Sequence, residues 1–182
     1  MWLLLASAFA GPVTLPELTE AETKALDARE IVVRTESESS VVAFIDIDAP
    51  PDVVLAAVLD LPARAGDIDN LDKVSLYREE TDIIGAKFEA SLIGFSADFH
   101  ILYTVDRAEN YTEYHLDESY ENDISASDGA YQVYARGEHS RMMYTADISA
   151  GGTPMWIKKA LVGGSMSEQL EGQRRRAETE RP

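Results

Sequence analysis

Apolar and polar residues alternate with a period of two through the middle of the chain. Ala86, Phe88, Ala90 and Leu92 alternate with Lys87, Glu89 and Ser91. After a turn at Gly94, Phe95, Ala97, Phe99, Ile101, Tyr103 and Val105 alternate with Ser96, Asp98, His100 and Thr104. Period two sends every second side chain to the same side of an extended segment, so both stretches predict strands with one buried face. Polar turns at Glu79–Asp82, Arg107–Asn110, Glu121–Ser127 and Arg136–Ser140 space the strands about 10–15 residues apart, as in an antiparallel meander. No helical stretch intervenes between Lys73 and Ile148, which excludes a parallel βαβ arrangement.

Earlier in the chain, Ile31-Val32-Val33 opens a strand, Glu36 to Ser40 is a polar turn, and Val41, Ala43, Ile45 and Ile47 alternate in a second strand, so a hairpin is predicted. Asp48-Ala49-Pro50-Pro51-Asp52 ends it and begins a helix over Val53–Leu59, because proline in a first helical turn lacks only an N–H that would have no partner there. That helix ends before Pro62. Leu18, Ala21, Ala25 and Leu26 keep helical spacing between Leu15 and Arg29, with acids early and Lys24 and Arg29 late, so a short amphipathic helix is expected. After Gly151-Gly152 the longest helix is predicted. Thr153 caps it, Pro154 sits in its first turn, and it runs to about Glu178 with Arg174-Arg175-Arg176 at the end where cations suit the dipole. Gly163-Gly164 interrupts it, at about 1 kcal/mol per glycine.

Composition narrows the partners. The 182 residues carry 16 Lys+Arg against 33 Asp+Glu, a net charge of −17, which opposes nucleic acid and anionic membrane surfaces because both require clustered cations. With 45% apolar residues the chain has the means to build one core. The absence of cysteine removes thiolate nucleophiles, disulfides and cysteine-based metal sites together. Trp2–Ala10 is a short apolar run ending Ala8-Phe9-Ala10, which leads to the expectation of a minimal export signal and a periplasmic or secreted protein; if the run is not a signal, the protein is cytoplasmic. The run is too short to span a bilayer, so no stable membrane insertion is expected. The expected organisation is a possible signal over 1–10, a helical extension over 11–29, and the main domain over 30–180. Oligomeric state is not specified by the sequence.

Familiar catalytic patterns fail on inspection. A calcium loop begun at Asp67 would place Leu71, Asp72 and Arg78 where a ligand, a glycine and a glutamate are needed. His100, His115 and His139 have no zinc-ligand spacing, and alternation turns the first two outward. Gly94-Phe95-Ser96-Ala97-Asp98 lacks the final glycine and the following helix of a nucleophile elbow. Neither glycine pair is a phosphate loop. No metal and no cofactor is expected.

The order of elements, together with a few stretches, resembles the START-like superfamily, which includes polyketide cyclase/dehydrase-like proteins, coenzyme Q-binding proteins and Bet v 1-like allergens. The stretches are Ile45-Asp46-Ile47-Asp48-Ala49-Pro50-Pro51-Asp52-Val53-Val54, Leu59-Asp60-Leu61, Asn122-Asp123 with Asp128-Gly129-Ala130-Tyr131, and Thr153-Pro154-Met155-Trp156-Ile157 to Arg174-Arg175-Arg176. The resemblance spans about Glu30 to Glu178 and implies an α+β helix-grip fold, a curved antiparallel sheet wrapped around a long C-terminal helix with an apolar cavity between them. Many relatives place an aromatic residue and a proline after the first helix, where this chain has Ala65 to Asp72, which leaves the mouth of the cavity unspecified.

The candidate ligand-binding residues are Phe88, Phe99, Tyr103, Tyr114, Tyr134, Arg136, Met142, Tyr144, Trp156, Leu161 and Met166. The set is equally consistent with an ordinary core and with a cavity wall, since buried tyrosine hydroxyls need partners that a ligand can supply. Arg136 alternates with Tyr134 and is expected to share its inward face. The leading expectation is binding or transport of a hydrophobic small molecule, a lipid or isoprenoid quinone, without catalysis. A cyclase/dehydratase-type enzyme acting on an apolar carbonyl compound and an acidic protein-interaction module are the alternatives.

Overall fold

The computed structural model describes residues 11–35, 40–92, 95–147 and 165–179. In chain order these are helix α1 (Glu20–Asp27), strands β1 (Val32–Thr35) and β2 (Ser40–Ile47), helix α2 (Pro51–Leu59), a 3-10 turn (Pro62–Gly66), strands β3 (Leu71–Glu79), β4 (Ile83–Leu92), β5 (Phe95–Asp106), β6 (Tyr111–Leu116), β7 (Asp128–Arg136) and β8 (His139–Asp147), and helix α3 (Ser165–Thr179). The predicted first half of the C-terminal helix, with Trp156, Leu161 and Gly163-Gly164, lies outside the described residues.

All eight strands join one antiparallel sheet in the order β1-β2-β8-β7-β6-β5-β4-β3. From β3 to β8 each strand pairs with the next, as a meander requires. Only the step from β2 to β3 passes from one end of the sheet to the other, and α2 with the 3-10 turn carries the chain across. α3 then packs on α2 and reaches β2. The result is the expected α+β helix-grip fold, a curved sheet whose concave face is covered by helices.

Two apolar clusters lie on opposite sides of the sheet. The concave one joins Val41, Ala43, Ile45 and Ile47 of β2 with Val54, Leu55 and Val58 of α2, inward residues of β4 to β8, and Met166 and Leu170 of α3. The second lies on the back, where Leu26 of α1 meets Val32, Phe44 and Met143. β2 is therefore buried on both faces, which is why Ala43, Phe44 and Ile45 are consecutive and all inaccessible. Alternation alone predicts only one covered face. α1 is shorter than the periodicity suggests because Thr19 caps it, accepting from the Glu22 N–H (3.2 Å) while the Glu22 carboxylate accepts from the Thr19 N–H (2.8 Å). Arg34 ties helix to sheet, pairing with Glu22 at 2.7 Å and lying 5.1 Å from the Phe44 ring centre.

This second cluster corrects the expectation for Tyr134 and Arg136. On β7 it is Tyr131 and Val133 that face the concave cluster. Tyr134 packs on the back cluster and donates its hydroxyl to the Val13 carbonyl (2.8 Å), and Arg136 pairs with Asp46 (2.9 Å) on the same outer side. Apolar residues of both parities occur on this strand because both faces are covered, so period two does not identify the inner one. Asp46 also holds Arg141 by two bonds of 2.6 and 2.7 Å, and Arg141 is nearly inaccessible. Asp46→Ala strands that cation and should lower stability by about 2 kcal/mol in urea unfolding, whereas Arg136→Ala, at an exposed pair, should change it by less than about 0.5 kcal/mol. Equal losses would mean that Arg136 rather than Arg141 is the important partner.

Beyond Leu116, β5 runs past the end of β6, and the Asn122-Asp123 segment supplies its edge instead. Asn122 Oδ1 accepts from the His100 N–H (2.7 Å), Asp123 Oδ2 accepts from the Asp98 N–H (2.7 Å), and the Asp123 N–H donates to the Asp98 carbonyl (2.9 Å). Side chains thus complete what a strand would have provided. His100 lies on the back face, stacked on Tyr120 with ring centres 4.2 Å apart.

Candidate functional site

Four neighbouring strands each contribute one inward tyrosine to the concave face. Tyr103 (β5) is paired in register with Tyr114 (β6), and Tyr131 (β7) with Tyr144 (β8). Adjacent rings lie 4.7–6.5 Å centre to centre. The Tyr114 and Tyr144 hydroxyls share a hydrogen bond of 2.8 Å across β7. That bond is possible because Gly129, the register partner of Tyr114, has no side chain; a Cβ there would stand 2.4 Å from the Tyr114 hydroxyl oxygen and 2.3 Å from the Thr145 carbonyl oxygen.

Arg64 stands among these rings. It belongs to the 3-10 turn that follows α2, where Pro62 starts the turn and the fully buried Leu61 anchors it. Arg64 is 3% exposed. Its Nη1 donates to the Tyr103 hydroxyl (2.9 Å), its Nη2 donates to the Val58 carbonyl (2.9 Å), and its guanidinium carbon lies 5.5 Å from the ring centres of both Tyr103 and Tyr131. From α3, Gln169 Nε2 donates to the Tyr131 hydroxyl.

The electrostatics of this group are unusual. Burial works against the charged form of Arg64, and the surrounding phenols favour it coulombically only once they ionise, so its proton is held more firmly than an ordinary arginine's only at high pH. Burial also raises the phenols: Tyr103 is pushed up to about 12, with Arg64 opposing the rise, and Tyr114 and Tyr144 go further in the same direction. Tyr103, Tyr114 and Tyr144 are therefore neutral at physiological pH. Arg64 has no ion pair among the described residues, and its Nε–H has no acceptor. A buried cation solvated only by neutral dipoles can receive an oxygen carrying negative or partial negative charge.

The raised phenols have a consequence at alkaline pH. Six of the eight tyrosines, Tyr77, Tyr103, Tyr111, Tyr114, Tyr134 and Tyr144, ionise above the ordinary value in the folded chain, Tyr103 and Tyr134 at about 12. Their folded-state values exceed the unfolded value of about 10, so the stability they contribute is complete below that pH and is lost as pH rises through the folded values. Melting temperature should fall steadily above pH 10, with tyrosinate absorbance at the same pH lower in the native than in the urea-unfolded protein. Coincident titration curves would contradict the buried placement of these rings.

Of the candidate residues, Phe88, Phe99, Tyr103, Tyr114, Met142, Tyr144 and Met166 come together in the concave cluster. Phe88 and Phe99 are register partners on β4 and β5, stacked 5.3 Å apart with rings nearly parallel. Along β5 they lie four residues from Tyr103, about 13 Å. The face therefore has an apolar region and a phenol–guanidinium region. Tyr134 and Arg136 are outside it, and Trp156 and Leu161 lie outside the described residues. Arg64, Tyr131 and Gln169 were not among the candidates. Tyr131 keeps parity with Val133 and was available to a period-two reading, but a single arginine in a 3-10 turn has no periodic signal. Among the described residues no group of three or more His, Asp or Glu side chains is arranged to hold a metal, and no helix is long and apolar enough to cross a membrane.

No protein-family profile and no curated protein matches the chain. Solved structures do. The Zhui aromatase/cyclase from a Streptomyces species superposes with a TM-score of 0.65 at 16% identity, over 81% of this chain and 94% of its own. A STAR-related lipid transfer protein from Xanthomonas axonopodis gives 0.66 at 14% identity, over 81% and 92%. A third structure, the protein TTHA0849 from Thermus thermophilus, gives 0.66 at 17% identity, over 76% and 96%. At these identities the likeness concerns the fold, and the fold is that of START-domain and aromatase/cyclase structures.

Proposed function

We propose that this chain binds a hydrophobic small molecule, of the lipid or isoprenoid quinone class, between the curved sheet and the C-terminal helix, with an oxygen-bearing end of the ligand against Arg64. The observation that carries this reading is the buried guanidinium among neutral tyrosines, which has an unused N–H and no carboxylate partner among the described residues. A core built only for stability gains nothing from such a group, since a buried charge costs several kcal/mol unless it is compensated. The apolar body of the ligand would extend toward Phe88 and Phe99. The similar structures support the reading, one being titled a lipid transfer protein and another an aromatase/cyclase. Delipidated protein titrated with a fluorescent fatty acid should bind it saturably at one site, and more weakly when the carboxylate is reduced to the alcohol. Non-saturable uptake, or equal affinity for acid and alcohol, rejects the reading.

One contact favours a catalytic variant of the same site. Arg64 donates to the Tyr103 hydroxyl and opposes the rise that burial imposes on it, which leaves the hydroxyl's own proton to be donated to a carbonyl oxygen in cyclisation or dehydration, though from a phenol that is a weaker acid than an ordinary tyrosine.

A further inference from the structure

α3 turns Met166, Leu170, Gln173 and Ala177 inward, at the 4-3-4 spacing of a helix stripe, and all four are buried. Three of them are the apolar residues such a stripe calls for. The fourth is a fully inaccessible glutamine whose Nε2 and Oε1 both lack a hydrogen-bond partner among the described residues. An unsatisfied buried amide costs about 1–3 kcal/mol, and leucine would fill the same position without that penalty. Gln169 lies one turn earlier, about 6 Å away on the same side of the helix, and its amide is occupied by the Tyr131 hydroxyl. Tyr131 in turn lies beside Arg64. Arg64, Tyr131, Gln169 and Gln173 are thus neighbours in turn, and at the two ends Arg64 Nε and both amide atoms of Gln173 are buried without a partner among the described residues.

We propose that Gln173 is a second recognition point for the ligand that meets Arg64, and that the ligand carries two oxygen functions on one apolar body: a carbonyl or acid oxygen at the arginine and a hydroxyl at the glutamine. A hydroxyl fits because the amide offers a donor and an acceptor at once, and a hydroxyl answers both. A hydroxylated quinone or aromatic acid meets this pattern, and a fatty acid with one headgroup does not. The inference rests on the binding reading above and narrows it.

The test compares 2-naphthoate with 6-hydroxy-2-naphthoate, two fluorescent acids that differ by one hydroxyl at the far end of a rigid apolar body. They are titrated into delipidated full-length protein and into Gln173→Leu, with Gln173→Met as a second variant should leucine disturb packing. The wild type should prefer the hydroxylated acid by about tenfold. The variants should lose that preference, bind 2-naphthoate as before, and melt no lower than the wild type. The same preference in wild type and variants, or none in the wild type, overturns the inference while leaving the binding reading standing; a buried water that alone satisfies Gln173 gives that result. Failure of the wild type to bind either naphthoate while it binds the fluorescent fatty acid overturns the inference alone, and failure with the fatty acid as well overturns both.

Discussion

Arg64→Met should leave the protein folded while lowering its affinity for an apolar carboxylate by about 10–100-fold. Methionine occupies nearly the same volume and removes a desolvation cost, which offsets in part the loss of the donor to the Tyr103 hydroxyl and the Val58 carbonyl, so stability should change by no more than about 2 kcal/mol. The ligand loses a charge-assisted hydrogen bond, worth about 1.5–3 kcal/mol. Thermal unfolding and the fatty-acid titration together check this. A fall of several degrees in melting temperature with unchanged affinity would make Arg64 a structural residue that orders the tyrosines. The converse result, with affinity lost and stability kept, is hard to obtain from any group whose purpose is packing.

Gly129→Ala should be among the most damaging substitutions of a single atom group in the sheet, at about 3 kcal/mol, or roughly 6–12 °C in melting temperature for a chain of this length. The new Cβ would stand 2.3 Å from the Thr145 carbonyl oxygen and 2.4 Å from the Tyr114 hydroxyl. A side chain can swing away, but the carbonyl belongs to the ladder between β7 and β8 and cannot move without opening it. Tyr114 must also leave Tyr144, so two buried hydroxyls lose the bond they share. The variant should therefore lose affinity as well as stability. Adding Tyr114→Phe removes the hydroxyl contact but leaves the ring Cζ 2.6 Å from the new Cβ, so it should recover only a small part of the stability. No recovery would show that the backbone and ring-carbon contacts set the cost. Gly172 on α3 has a related use, since a Cβ there would overlap the carboxylate of Asp67, which is bound to Arg176.

The strands that read most plainly from the chain are those in which one face is buried and the other wet, although β2, covered on both faces, was legible too. β4 and β5 alternate over Ala86–Ala90 and Ala97–Ile101, and their register pairs Ala86 with Ile101 and Phe88 with Phe99, all on the buried face. The Ala49-Pro50-Pro51 entry to α2 was legible for the same kind of reason, since proline restricts the chain locally whatever surrounds it. Reading failed where a residue's surroundings come from distant parts of the chain. Tyr134 and Arg136 were assigned to the concave face because apolar parity on β7 is ambiguous, and only the docking of α1 on the back of the sheet resolves it. Arg64 was passed over because the 3-10 turn has no period and an arginine between two alanines reads as solvent-exposed. Gln173 was within reach of the helix spacing, as a polar residue at a stripe position.

Alternation, proline placement and the order of turns determined by themselves that this chain makes an antiparallel meander with one long apolar face and a helix to cover it. These signals are local, each the product of backbone geometry acting over a few residues. The tertiary structure decided which polar groups that face would enclose. Arg64, Tyr103, Tyr131 and Gln173 come from four segments far apart in sequence, and whether a guanidinium or an amide in such a place is satisfied depends on partners no local pattern encodes. Burial turns ordinary residues into a site, and burial is a property of the assembled fold.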